Sequence, residues 1–473
     1  MILCNSIQQN RRDINMRVLT NPKNGYIIIL KNFVRGIAAE RNGIKMDLQN
    51  ILKSLENCPC GKEHTFVTKV VEISSGASRR AGEVLKNAGF PQKVLLVADR
   101  NTIAVANAEG LEDALTASGF VIKKLVYDNM KYARVEQVRE VMALAADVDG
   151  IISVGTGSLN DICRVSSFEL KKMFCIFATA PSMDGFASDT APIIENNFKT
   201  SWQAEQPAVI IADTKILAKS PVELKAAGFG DMVAKYIGIL DWKVAHLLID
   251  EYYCDAVAEL TMTAVRKMVA LADKVTTEDE EAAGAIMEAL VLSGLAMKLA
   301  RSSRPASGAE HVVSHYWECY KLARGIWPEY HGKKVGVATV IIDRLYRNLA
   351  DRLPEIDPVK DPTDWDEVYR HFSPEQIPGV KKLNDPTITD KVDPAKLKAS
   401  WGEIRRLIYE ILPDPDALVD LMKRAGCAIT PEEVHVTPEL LAEGLRWHSY
   451  MRYRVLITRL LPMIGVDPMD YID

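Results

Sequence analysis

Between residues 67 and 213, short β-branched runs alternate with amphipathic stretches, and beyond Pro221 the β signal nearly disappears. Residues 67–73, 93–98, 121–127, 150–154, 174–179 and 208–213 read as strands. Residues 79–88, 108–118 and 135–146 read as helices between them. Strands joined through helices run parallel, which predicts a doubly wound sheet with its ligand edge at the strands' carboxyl ends. Residues 222–250, 256–272, 280–301, 310–323 and 332–353 read as mainly helical. Residues 354–400 are rich in Pro and Asp and predict loops with short helices. Residues 400–412, 416–425 and 438–461 close the chain as helices. The expected division is an N-terminal extension over 1–65, an α/β domain over 66–220 and an all-α C-terminal domain over 221–473.

Charge excludes one class of partner. The 58 Lys and Arg residues face 63 Asp and Glu, a net charge of −5, so no basic surface for nucleic acid is expected. The eight cysteines are mostly isolated, some inside apolar runs such as Met173–Phe177, which is buried-thiol usage and not a disulfide framework. No apolar run approaches the roughly 18 residues of a membrane span. The run at 26–30 is broken by Lys31 and lacks the features of a signal peptide. These features predict a cytoplasmic protein with no membrane span. Residues 1–50 show no sustained period.

Three segments fall at the expected ligand edge. Ile151-Ile152-Ser153-Val154-Gly155-Thr156-Gly157-Ser158-Leu159-Asn160-Asp161 runs from a buried strand through a glycine turn into a helix. Such a turn lets the backbone approach a pyrophosphate and points a helix N-terminus at it, as in a Rossmann-like domain. The third glycine of the usual dinucleotide fingerprint is missing, and a plain tight turn fits the residues equally well. Asp99 ends the strand at 93–98, where a carboxylate can accept bonds from a ribose or simply cap the next helix over Asn101-Thr102. Thr179-Ala180-Pro181-Ser182-Met183-Asp184-Gly185-Phe186-Ala187-Ser188 follows another strand. It reads either as an ordinary turn or as a phosphate- and nicotinamide-binding loop whose Asp184 orients a substrate hydroxyl.

A fourth group has the chemistry of a metal centre. Three of the eight histidines, His311, His315 and His331, crowd into residues 311–331, and Asp231 lies in Gly228-Phe229-Gly230-Asp231-Met232-Val233-Ala234-Lys235. His311 and His315 share one helix face. Two imidazoles and a carboxylate with an open position suit a catalytic divalent metal. Capping and core roles are the other reading. A separate run, Cys58-Pro59-Cys60-Gly61-Lys62-Glu63-His64, offers two thiols and an imidazole with no fourth ligand nearby, and reads as a reduced loop.

Together these blocks resemble the iron-containing alcohol dehydrogenase and dehydroquinate synthase superfamily. Within it the resemblance is to the sn-glycerol-1-phosphate dehydrogenases, specifically the bacterial AraM-like branch. The blocks are Gly155–Asp161, Thr179–Ser188, Gly228–Lys235, Arg304–His311, His315–Glu318 and His331–Val335, in the family's order across residues 65–345. The resemblance implies a cytoplasmic oxidoreductase of phospholipid biosynthesis. It would reduce dihydroxyacetone phosphate to sn-glycerol 1-phosphate with NAD or NADP as cofactor and one divalent metal, zinc or nickel, as a homodimer or larger homo-oligomer. It implies that Asp231, His311 and His331 bind the metal. Asp184 and His315 would contact substrate, and Asp184, Asp231 and His315 would form the catalytic set. Asp99, Gly157, Ser158, Leu159, Asn160, Asp161, Thr179, Ala180, Pro181, Ser182 and Ser188 would contact the cofactor. Lys235 and Arg304 flank the metal blocks and are candidates for the substrate phosphate. Glycerol dehydrogenases and dehydroquinate-synthase-like cyclases share the superfamily, and a catalytically silent metal- and nucleotide-binding protein is a further alternative. The cyclases usually carry Glu where this chain has Asp231, and intact candidate ligands count against a silent protein.

Overall fold

The computed structural model describes residues 44–195 and 198–473. The run at 26–30 and most of the N-terminal extension lie outside the described residues. The strands are β1 (Ile44–Lys45), β2 (Val70–Ser74), β3 (Lys93–Asp99), β4 (Val121–Tyr127), β5 (Gly150–Gly155), β6 (Met173–Ala178), β7 (Thr190–Glu195), β8 (Phe198–Gln203) and β9 (Val209–Asp213). One sheet has the order β1-β2-β9-β6-β5-β3-β4, in which the six strands from β2 to β4 are parallel and β1 is an antiparallel edge.

Between the strands lie α1 (Leu48–Ser54), α2 (Ala77–Asn87), α3 (Arg100–Ala108), α4 (Leu111–Ala117), α5 (Val135–Ala145) and α6 (Gly157–Glu169). They cover both faces of the sheet, and β3 shows how. Its Val94, Leu96 and Ala98 share a core with Ala81 and Leu85 of α2 and Leu115 of α4. Its Leu95 and Val97 share another with Val138 of α5 and Ile162 of α6. A central strand buried on both sides reads as an unbroken apolar run, as Val94–Ala98 does. The chain leaves β3 for β4 on one side and returns to β5 on the other. At that reversal a crevice opens beyond the carboxyl ends of β3 and β5, where Asp99 and Gly155 stand.

The helical half contains α7 (Thr214–Lys219), α8 (Val222–Val233), α9 (Lys235–Ile249), α10 (Asp255–Val269), α11 (Glu280–Ala300), α12 (Ala309–Leu322) and α13 (His331–Arg352). The tail adds α14 (Trp365–Arg370), α15 (Ile377–Asn384), α16 (Pro394–Ile411), α17 (Pro415–Arg424), α18 (Pro438–Trp447) and α19 (Ile457–Leu460).

Several expectations need correction. The single helix expected over 108–118 is split between α3 and α4 by Gly110, whose φ of 86° no helix interior accommodates. The helix expected over 222–250 is interrupted at Ala234. The helix expected over 438–461 stops at Trp447, and after a 3₁₀ turn at His448–Met451 the backbone is extended at Arg452 and Leu456. Tertiary bonds replace the helical ones there: Arg304 Nη1 donates to the Val455 carbonyl at 2.9 Å, and Asp241 Oδ1 accepts the Ile457 N–H at 3.0 Å. The β7–β8 hairpin is not among the expected strands, and its first strand carries Pro192. Finally, α11 is long and apolar enough to cross a membrane, contrary to the expectation that no stretch approaches that length; 89% of its apolar window is buried inside the protein, as in a core helix. The described part of the extension packs firmly, with Leu48 and Ile51 of α1 buried in the main core.

Candidate active site

Two helices meet backbone to backbone to form the centre of the site. A Cβ at Gly332 would lie 2.0 Å from the Ala227 carbonyl oxygen, so only glycine lets α13 approach α8 this closely. The contact brings Asp231, near the end of α8, beside His331, the first residue of α13. His311 enters from the first turn of α12, with His315 one turn further on. One ligand atom from each of Asp231, His311 and His331 lies within 4.8 Å of the others. A carboxylate and two imidazoles at this spacing fit a divalent cation. His315 is adjacent, its ring centroid 5.6 Å from that of His331.

Neighbouring charges set the protonation of this group. Asp231 Oδ1 faces His311 Nε2 at 3.3 Å and accepts from Lys235 Nζ at 3.1 Å, and its Oδ2 accepts the Asp184 N–H at 2.9 Å. Burial opposes ionisation of Asp231, but the Lys235 charge and the His311 bond outweigh it and hold the carboxyl well below its usual range. His311 Nδ1 bonds Glu310 Oε1 at 2.6 Å, so the ring lies between two carboxylates. Burial disfavours its charge, yet the bonds to Asp231 and Glu310 raise its pKa to about 9. His315 moves the other way: burial, with Arg452 nearby, depresses it against the opposing pull of Glu318. Its Nδ1 is 3.3 Å from Glu318 Oε2, which assigns the proton to Nδ1 and leaves Nε2 an acceptor.

A pH dependence follows. The His311 pKa is raised on folding, so in the metal-free protein its stabilising contribution is complete below pH 6.5 and fades as the pH rises through about 9. A metal must displace that proton. Affinity at this centre is expected to strengthen about tenfold per pH unit from about 7 to about 9 and then level off. Chelator competition at stepped pH measures it, and a flat profile contradicts it.

The crevice side is built around the Gly155–Gly157 turn. Thr156 caps α6, its Oγ1 accepting the Gly157 N–H at 2.6 Å and touching the Ser182 hydroxyl. Nothing lies within 4 Å of where a Gly157 Cβ would stand, so the helix N-terminus faces open space. Asn160 accepts from Ser153 Oγ at 2.7 Å, while its buried Nδ2 has no partner among the described residues. An open helix N-terminus and an orphan donor fit an anionic group such as a pyrophosphate. The other expected contacts are distributed unevenly. The Leu159 side chain packs in the core, Asp161 lies 3.5 Å from Arg164, and Ser158 Oγ donates to the Lys131 carbonyl. Asp99 caps α3 with Oδ1, accepting from Asn101 and Thr102 at 2.9 Å each. Thr179 N–H donates to the Gly155 carbonyl, Ala180 and Pro181 are buried, and Ser188 Oγ bonds the Thr190 carbonyl.

Some participants were missed or misassigned. Lys235 and Arg304, the candidates for the substrate phosphate, have their donors committed to protein groups in this arrangement. Lys235 is fully buried, with Nζ donating to Asp184 Oδ2, Asp231 Oδ1 and the Ala306 carbonyl. Arg304 is bidentate on Glu251 at 2.7 and 2.6 Å. Buried Arg164, from α6, holds the 184–190 segment through the Gly185, Phe186 and Thr190 carbonyls. The extended stretch after α18 brings Arg454 to the Ser307 carbonyl at 3.1 Å and to the Ser303 hydroxyl. Burial and the adjacent Arg304 and Arg452 charges lower the Arg454 pKa to about 9.

Residues 72–221 match the family model described as iron-containing alcohol dehydrogenase. The chain is 33% identical over 405 residues to the glycerol-1-phosphate dehydrogenase [NAD(P)+] of Geobacillus stearothermophilus, covering 84% of this chain and 93% of that one. The Bacillus subtilis relative of the same name is 34% identical over 431 residues, covering 89% and 96%. The chain belongs to the glycerol-1-phosphate dehydrogenase family. The Methanosarcina barkeri relative of the same name is 34% identical over 276 residues, covering 58% of this chain and 76% of that one. Among solved structures, glycerol dehydrogenase from Schizosaccharomyces pombe has the same fold, with a TM-score of 0.55 at 17% identity over 86% of this chain and 90% of that one.

Proposed function

We propose that this protein reduces dihydroxyacetone phosphate to sn-glycerol 1-phosphate with NAD(P)H, reversibly, as a cytoplasmic homodimer or larger homo-oligomer. The observation that carries the reading is the convergence of Asp231, His311 and His331 beside the crevice in a member of this family. Those three residues would hold the divalent metal, zinc or nickel. The turn at 155–161 with Asp99 and the 179–188 loop would hold NAD(P). When bound, the metal lends Lewis acidity at the substrate's C2 oxygen and the nicotinamide carries the hydride.

The chain's own residues position the substrate. Asp184 is anchored through Oδ2 to Lys235 at 2.7 Å and Ser293 at 3.1 Å, which leaves Oδ1 for a substrate hydroxyl. Neutral His315 offers Nε2 as a second acceptor. Asp99 keeps Oδ2 for a ribose hydroxyl, and its charge favours NADH over NADPH. For the phosphate we propose Arg452 and Arg454. Arg304 is paired with Glu251, whereas burial and the Arg304 and Arg452 charges outweigh the pull of Glu251 and Glu310 on Arg454, so a further anion there would be favourable.

The deciding assay is NADH oxidation with dihydroxyacetone phosphate, against glycerol with NAD, before and after chelation and return of zinc or nickel. Metal-dependent turnover of the phosphate ester, with chiral analysis giving sn-glycerol 1-phosphate, supports the reading; metal- and NAD-loaded protein inert toward both substrates refutes it. Arg452→Met and Arg454→Met are each expected to raise KM for the phosphate ester roughly 30-fold, about 2 kcal/mol, with little change in kcat. Activity toward unphosphorylated dihydroxyacetone should not change, and an equal loss on both substrates contradicts the assignment.

A further inference from the structure

A second cluster of ligating side chains lies where the N-terminal segment meets the helical half. Cys254, the residue preceding α10, comes to the Cys58–His64 loop from 190 residues beyond His64. Cys58 Sγ is 3.6 Å from Cys254 Sγ, Cys60 Sγ is 3.2 Å from His64 Nε2, and Cys254 Sγ is 3.8 Å from His64 Nε2. All four ligand atoms lie within 4.8 Å of one another. Zinc bound tetrahedrally, at about 2.3 Å from sulfur and about 2.0 Å from imidazole, spaces its ligands about 3.8 Å sulfur to sulfur and about 3.6 Å sulfur to nitrogen. The two sulfur–nitrogen spacings bracket the second value, and the sulfur–sulfur spacing lies within about 0.2 Å of the first.

The surroundings point the same way. His64 Nδ1 bonds the Leu299 carbonyl at 2.9 Å, which puts the proton on Nδ1 and turns the lone pair of Nε2 toward the sulfurs. The Tyr252 hydroxyl donates to Cys60 Sγ at 3.4 Å, as a partner to a thiolate does. Three thiolates and Zn²⁺ leave one net negative charge, and Lys62 lies nearby, its Nζ 3.5 Å from the centre of the Tyr252 ring. A Cys58–Cys254 disulfide would account for neither the aim of His64 nor the place of Cys60.

We propose that Cys58, Cys60, His64 and Cys254 bind one structural zinc ion in a closed Cys₃His shell. The ion ties the segment carrying β1 and α1 to the start of α10 and the end of α11. The reduced-loop reading of residues 58–64 gives way because its missing fourth ligand arrives from the helical half.

The test uses the full chain, purified without chelator. His331→Ala, which lacks a ligand of the other centre, should retain one zinc per chain by elemental analysis. A mercurial thiol reagent should release that zinc into a chromogenic chelator. Cys60→Ser should lose that equivalent. Wild-type protein reconstituted with Co²⁺ should show thiolate-to-cobalt charge transfer and tetrahedral d–d bands, which keeps the test valid if a cysteine variant fails to fold. Absence of the charge-transfer band, or a Cys58–Cys254 disulfide in the native protein by mass analysis, overturns the proposal.

Discussion

His331→Ala is expected to lower turnover of dihydroxyacetone phosphate by at least about 10³-fold while leaving the protein folded. The residue opens α13 and is only half buried, so truncating it removes little packing. It is, however, one of the three proposed ligands whose donor atoms lie within 4.8 Å of one another, and two ligands hold a cation poorly. Loss of the metal forfeits several kcal/mol of charge stabilisation at the reacting oxygen, and each 1.4 kcal/mol is a factor of ten in rate. Steady-state kinetics with elemental analysis checks both effects. A variant that keeps full metal content at this centre and a tenth or more of wild-type turnover would remove His331 from the site.

Lys235→Met is expected to destabilise the metal-free protein by about 3–5 kcal/mol, the usual cost of stripping one partner from a buried ion pair. Lys235 is fully buried, and its three donors are committed to Asp184, Asp231 and the Ala306 carbonyl. Without it, two carboxylates face each other with only the imidazoles of His311 and His331 to compensate. A divalent cation at Asp231 supplies the missing charge, so the deficit should shrink on metal binding. Urea denaturation of both proteins with and without metal measures this, and equal stability in the metal-free state would show that the two carboxylates need no internal cation.

The fold was legible wherever one period dominated. Val94–Ala98, Phe174–Ala178 and Val209–Ala212 are unbroken apolar runs because both faces of each strand are covered. Helix ends set by long-range bonds were not legible. Nothing local in 448–457 says that Asp241 and Arg304 will claim its backbone, so the stretch bringing Arg452 and Arg454 to the site was read as helix. His311 and His331 stood out because histidine is scarce here and they fall close together. Glu310, whose bond fixes the His311 ring, has no spacing signal that separates it from an ordinary helix-start glutamate. Lys235 was visible four residues beyond Asp231, but spacing cannot tell a cation that serves a ligand from one consumed by its own neighbours. Cys254 had no local signal at all, since a fourth ligand 190 residues away is a property of the fold alone.

The 179–188 loop is fastened at both ends. Thr179 bonds the Gly155 carbonyl, and Ser182 meets Thr156 on the crevice side. On the other side the Asp184 N–H is held by Asp231, and the Pro181 carbonyl sits where only glycine at 228 leaves room, 2.0 Å from the position of a Cβ. The segment is thus a spacer of fixed length between the Gly155–Gly157 turn and Asp231, the proposed nucleotide and metal sites. One inserted residue adds up to about 3.5 Å of chain, as much as the whole gap across which reacting atoms must meet. Loops ordinarily absorb insertions and deletions more readily than the elements they join. At the proposed site the opposite is expected: an insertion within 179–184 would shift Asp184 relative to the Gly155–Gly157 turn, so the length of this loop constrains the site as its residues do.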